Sequence, residues 1–238
     1  MKGLALLLAT GKFSKLLLTA GTMLLSILAY SLVYGWYYAL GLVALIFIHE
    51  MGHYIAARQR GIEVGAPTFI PFVGAWIELK DKPQNAETDA FIGLGGPLLG
   101  TLAAIGCYFI GRHTAQPIWL ALSYAGFFLN LFNLIPLPPF DGGRITSVIS
   151  SRIWLLGIPI LIGAFFYRPN PLLIFMAILA APQIIQSFQK NPASLEQPSD
   201  SAISLEHKVE YTFYYLSLVV FLAIMTGNVY EMLEKSPF

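Results

Sequence analysis

The chain has 238 residues, 56% hydrophobic and 11% charged, with a mean hydropathy of +0.67. Soluble domains carry about 25% charged residues, so this composition excludes a soluble globular enzyme and indicates an all-α polytopic membrane protein. A formal net charge of +1 leaves no basic surface for nucleic acid, and the lone Cys107 can form no internal disulfide.

A spanning helix needs about 20 mostly apolar residues. Residues 1–15 hold an apolar run too short to span and read as an interfacial segment kept in the mature chain. Apolar runs at 16–34, 36–57, 91–111, 117–134, 153–167 and 172–188 predict six transmembrane helices, and 211–227 predicts a seventh. Between the second and third, residues 61–82 lose the helical period: Val73, Ala75, Ile77 and Leu79 alternate with Gly74, Trp76, Glu78 and Lys80. That pattern predicts a short membrane-associated β-hairpin, with an irregular loop as the alternative. Residues 1–188 thus read as a transmembrane core, 189–209 as a polar flexible linker rich in Ser and Pro, and 210–238 as a C-terminal helix and tail.

With the N-terminus in the cytoplasm and all seven helices spanning, 11 Lys and Arg fall on the cytoplasmic side and 3 on the other. The bias favours that orientation. It directs the end of the second helix to the cytoplasm and leaves Trp36, Tyr37 and Tyr38 as an aromatic anchor at the opposite interface.

The second helix contains "HEMGH", His49 to His53. Residues i and i+4 share a helix face, with Cβ atoms about 6 Å apart, so both imidazoles can reach one metal ion while Glu50 stands beside them. Hydrolytic zinc sites combine two such histidines, a further protein ligand, an open position for water and a carboxylate base. Ionisable groups inside a span each cost roughly 2.5–3.5 kcal/mol on insertion scales and usually mark function. At 1.5 Å per residue His49 lies about 20 Å along the helix from Trp36, leaving about 10 Å of hydrocarbon on the cytoplasmic side.

A third ligand has to come from elsewhere. His113 and His207 read as solvated loop residues, and Asp81, Asp89 and Asp200 sit in polar loops. Asp141 lies in "NLFNLIPLPPFDGGRI", residues 130–145, where Pro136, Pro138 and Pro139 break the fourth helix. Irregular backbone at that depth must be buried in protein or line a wet cavity. A carboxylate there can face the histidines; the same pattern equally describes an ordinary Asp-Gly turn at the surface.

"HEMGH" together with "NLIPLPPFDGG" resembles the site-2 protease family of intramembrane zinc metalloproteases, over a core of residues 16–145. The resemblance implies one zinc ion bound by His49, His53 and Asp141, with Glu50 as general base and Asn133 helping to hold the substrate or its oxyanion. It implies an intramembrane endopeptidase that cuts within or next to a transmembrane segment of a membrane-anchored substrate (regulated intramembrane proteolysis), in the lipid bilayer of a plasma or inner membrane. "GLGGPLLG", residues 93–100, resembles the family's Gly-Pro stretch and reads as close helix packing by small residues. No loop is long enough for an inserted PDZ-like domain, and no pair of nucleotide-binding repeats is visible, so a minimal member is expected. An adaptor or a homo-oligomer remains open. Two other readings compete: a membrane client-binding protein that does not cut, and a metal or ion transporter. The glutamate between the histidines favours hydrolysis over transport.

Overall fold

The computed structural model describes residues 12–81, 83, 85–167 and 203–235, together with 173, 174, 177, 178, 180–182 and 185. Helix α1 (Lys12–Tyr34) is followed directly by α2 (Trp36–Gln59), and Gly35 makes the reversal with φ 82°. A side chain is disfavoured at that angle. The end of α2 is closed by Gly61, φ 74°: its N–H donates to Arg58 O and the Ile62 N–H to Ala57 O. This pair of hydrogen bonds satisfies carbonyls that the helix leaves unpaired.

The predicted hairpin is present. Strand β1 (Thr68–Ile70) pairs antiparallel with β2 (Gly74–Trp76), Phe69 opposite Ala75, and a bridge joins Val64 to Leu79. Helix α1 holds β1 in place: Thr19 Oγ1 donates to Pro67 O at 2.7 Å, and Thr22 Oγ1 accepts from the Phe69 N–H at 3.3 Å. At the tip Phe72 has φ 63°, its N–H donates to the Tyr30 hydroxyl at 3.1 Å, and the two rings meet edge to face.

Helix α3 (Ala86–Thr114) is capped by Asn85, whose side chain accepts from the Thr88 N–H, and Glu87 and Asp89 occupy its first turn. Acidic residues are favoured there by the helix dipole. Helix α4 (Pro117–Asn133) begins with proline, whose missing N–H costs nothing in a first turn. A buried irregular segment leads to the short α5 (Asp141–Ser147), a 3₁₀ turn (Ser151–Leu156) and α6 (Gly157–Tyr167). The last described helix is α7 (Leu205–Glu234). Helix α3 packs between α2 and α4, and α7 packs along α4. One cluster joins Leu94, Ala104, Phe127, Ile145, Leu218 and Leu222; a second joins Ile27, Val43, Leu45, Phe69 and Leu122.

Several boundaries differ from the sequence reading. Among the described residues four helices are long and apolar enough to cross a membrane, not six or seven. Helix α4 has 17 residues, about 26 Å, at the short end of the range that crosses a hydrocarbon core. The run at 153–167 is split because its first turn is 3₁₀; most of 172–188 lies outside the described residues. The linker ends early, since Ser204 caps α7 by accepting from the His207 N–H, which makes 205–209 helical. Its remaining residues up to 202 lie outside the described part, as do residues 1–11 of the proposed interfacial segment, while Lys12 already begins α1.

Candidate metal centre

The two histidines of α2 point at α3, and α3 admits them because its facing residues are glycines. A Cβ on Gly52 would collide with Gly95 O, and a Cβ on Gly96 would collide with His53 Nε2 and stand 2.8 Å from His49 Nε2. A Cβ on Gly100 would collide with Asn130 Oδ1. The glycine stretch is therefore packing, as its sequence suggested, and it also makes room for the imidazoles.

His49 Nε2 and His53 Nε2 are 3.1 Å apart, and Asp141 Oδ2 lies 3.2 Å from each. His49, Glu50, His53 and Asp141 are all buried, at 6–8% exposure. The outer ring nitrogens have acceptor partners. His49 Nδ1 faces Asn130 Oδ1 at 2.8 Å, and His53 Nδ1 faces Ile92 O at 2.8 Å. Both partners only accept, so each Nδ1 carries a hydrogen and each Nε2 is the ring atom turned toward Asp141. Asn130 is itself fixed, because its Nδ2 donates to Gly126 O at 2.6 Å. Two ring nitrogens and a carboxylate oxygen therefore converge on one buried point, a group that could hold a metal ion. The 3.1–3.2 Å edges match the roughly 3.3 Å ligand–ligand edge of a tetrahedral ion with bonds of 2.0–2.1 Å. The donor set fits zinc.

The third donor arrives on α5. A Cβ on Gly142 would collide with Leu134 O, and one on Gly143 would meet the Leu137 carbonyl carbon at 2.5 Å. The Asp-Gly-Gly turn is thus pressed onto the backbone of the proline segment. Arg144, one turn on, binds Asp89 Oδ1 through Nε and Nη2 at 2.9 and 2.7 Å, tying α5 to the first turn of α3.

A cavity of about 690 Å³ adjoins the donors, and its lining includes Glu50, Asn133 and Arg144 together with Phe72, Val73 and Gly74 of the hairpin. Asn133 sits at the C-terminal end of α4 on its wall. His113 is exposed near the end of α3, and His207, on α7, lies 3.5 Å from Glu87; neither joins the centre. Asn130 is the residue that the sequence reading missed. An amide in an otherwise apolar helix, three residues before Asn133, was its only signal.

Fold and donors together define an integral membrane protein with a buried group of three donors that could hold a metal ion. Residues 37–116, which include "HEMGH" and the glycine stretch, match the model of peptidase family M50. The chain is 31% identical over 134 residues to a zinc metalloprotease of Methanocaldococcus jannaschii, covering 54% of this chain and 38% of that one. It is 34% identical over 122 residues to a candidate zinc metalloprotease of Synechocystis sp., covering 49% of this chain and 31% of that one. The chain thus spans between about a third and two fifths of the length of these relatives. Among solved structures it is similar to a site-2 protease from M. jannaschii, with TM-score 0.43 and 19% identity over 90% of this chain and 85% of that one. The resemblance drawn from the two motifs is borne out by the family match and the curated relatives.

Proposed function

We propose that this chain is an intramembrane zinc endopeptidase that hydrolyses a peptide bond within or next to a transmembrane segment of a membrane-anchored substrate. The observation that carries the reading is the convergence of two imidazole nitrogens and a carboxylate, beside a buried glutamate, on the wall of a cavity inside an apolar bundle. His49, His53 and Asp141 would hold the zinc ion. Zinc held there supplies an activated water, with a pKa near 7, and a Lewis acid for the scissile carbonyl.

The remaining roles belong to the chain's own side chains. Glu50 accepts a proton from the attacking water and hands it to the leaving amine. Asn133, on the cavity wall, directs its amide to the oxygen that gains charge. Asn130 and the Ile92 carbonyl hold the imidazoles in the tautomer that leaves both Nε2 atoms free. The bundle and the hairpin separate the centre from lipid.

The hairpin suits an extended substrate. Because the Phe69 N–H points away from β2 to Thr22, Phe69 and Ala75 form a non-hydrogen-bonded pair, and the Ala75 N–H and C=O face outward on the other edge. Among the described residues the sheet has two strands, and Gly74, Ala75, Ile77 and Leu79 line the cavity. A substrate unwound near its cytoplasmic end adds to β2 there. Proline substitutions at alternating positions across 73–79 weaken cleavage and leave zinc content intact; unchanged cleavage sinks strand addition. The catalytic unit is residues 1–188, with its centre toward the cytoplasmic face of a plasma or inner membrane.

The deciding experiment is Glu50→Gln. It keeps zinc and lowers cleavage of a transmembrane substrate by about 10²- to 10⁴-fold, the usual contribution of a positioned base. Wild-type protein that retains a client uncut supports the client-binding reading instead.

A further inference from the structure

The C-terminal helix reaches the metal centre through one hydroxyl. Pro138 has no N–H, so the Leu134 carbonyl, at the end of α4, lacks the partner that a continuing helix would give it four residues on. Leu134 is buried, at 2% exposure, and an unmet carbonyl there is costly. Tyr215 Oη, from α7, donates to that oxygen at 2.7 Å. Its ring packs on the cluster that holds Leu134, Ile145, Leu218 and Leu222.

That carbonyl is also the surface on which the Asp141 turn rests. Gly142 approaches Leu134 O so closely that a Cβ has no space, and Asn133 is bonded to Leu134 directly. One residue, Leu134, therefore links three things: the hydroxyl of α7 and the residue after the third candidate donor, both at its carbonyl, and Asn133 on the cavity wall, through its own amide nitrogen.

We infer that Tyr215 is a positioning residue, which fixes the Asp141 carboxylate against the two imidazoles by clamping the Leu134 carbonyl. This rests on the metal-centre reading above. It assigns α7 a part in the centre, although its sequence is separated from Asp141 by more than sixty residues and carries no motif.

Tyr214, the neighbouring residue, supplies the control, because its hydroxyl bonds Glu210 at 2.8 Å on the exposed face. Zinc affinity is measured by chelator competition on the full chain in detergent or nanodiscs, for Tyr215→Phe and Tyr214→Phe, each also in an Asp141→Asn background. Tyr215→Phe weakens zinc binding about tenfold, the low end for loss of an outer-shell contact, whereas Tyr214→Phe leaves it unchanged. With Asp141→Asn already present, the Tyr215→Phe effect disappears, because the donor it aligns has gone. Equal affinity for Tyr215→Phe and wild type overturns the inference. So does the same loss in both backgrounds, which marks a general structural role. Failure of the parent reading looks different: wild-type protein then binds no zinc, or binds it undiminished after His49→Ala.

Discussion

His49 and His53 owe their mutual placement to the repeat of one helix, whereas Asp141 owes its own to contacts gathered from across the chain. Within α2 the backbone alone sets two imidazoles on one face, and α3 needs only to lack side chains opposite them. The Asp141 half has no such internal order. Its turn is placed by contact with the Leu134 carbonyl, by the Arg144–Asp89 pair, and by Trp154 Nε1, which donates to Gly143 O at 2.9 Å. The difference teaches that a metal centre can be half local and half tertiary, and that the two halves fail in different ways.

Glycine substitutions test that contrast most strongly. Alanine at position 96 improves the intrinsic helix propensity of α3 by about 1 kcal/mol, yet its methyl group enters the space of His53 Nε2. Gly96→Ala is expected to weaken zinc binding about a hundredfold, as overpacking of about 3 kcal/mol would, while the thermal midpoint of the metal-free protein hardly falls. On the tertiary side, Gly142→Ala forces the turn off the Leu134 carbonyl. It weakens zinc binding roughly thirtyfold through overpacking of about 2 kcal/mol, and it also lowers the metal-free midpoint, because α5 itself is displaced. If both variants lowered that midpoint equally, the distinction between the halves would be lost.

A smaller effect sharpens the helix half. Asn130→Leu removes the acceptor of the His49 Nδ1–H and frees the ring to turn, so zinc affinity drops about tenfold, with little change for a substrate analogue that binds the hairpin. Calorimetry with the analogue and chelator competition separate the two. The smallest effect belongs to the hairpin anchor. Thr22→Val takes away the acceptor of the Phe69 N–H and costs about 1 kcal/mol; amide exchange quickens over 68–76, and zinc affinity stays as it was.

The same contrast decides what could be read from the sequence. "HEMGH" was legible because its geometry is local, and the hairpin because alternation at 73–80 is local too. Asp141 was not fixed by its own residues: an Asp-Gly turn after three prolines is compatible with a surface loop, and the resemblance of two motifs was needed to turn it inward. Asn130 and Tyr215 were illegible for the same reason. Each acts on a partner about eighty residues away, 81 in both cases, and neither carries a spacing that announces it. Apolar runs alone do not fix the number of spans where length and regularity part company, in the 17-residue α4 and in the 3₁₀ start of the segment after α5.

The length of α3 has a consequence for where the chemistry happens. Its 29 residues make a rod of about 44 Å, against a hydrocarbon layer of about 30 Å. Set upright and centred, it overhangs by about 7 Å at each end, which carries Glu87 and Asp89 into water. Gly96, which touches both imidazoles, is ten residues from the start of the rod, about 15 Å along it. The donors then lie about 8 Å beneath the interface, close to the 10 Å that α2 indicates when measured from its own aromatic end. Placed in this way, two helices running in opposite directions act as independent rulers and would set the donors about 8–10 Å deep.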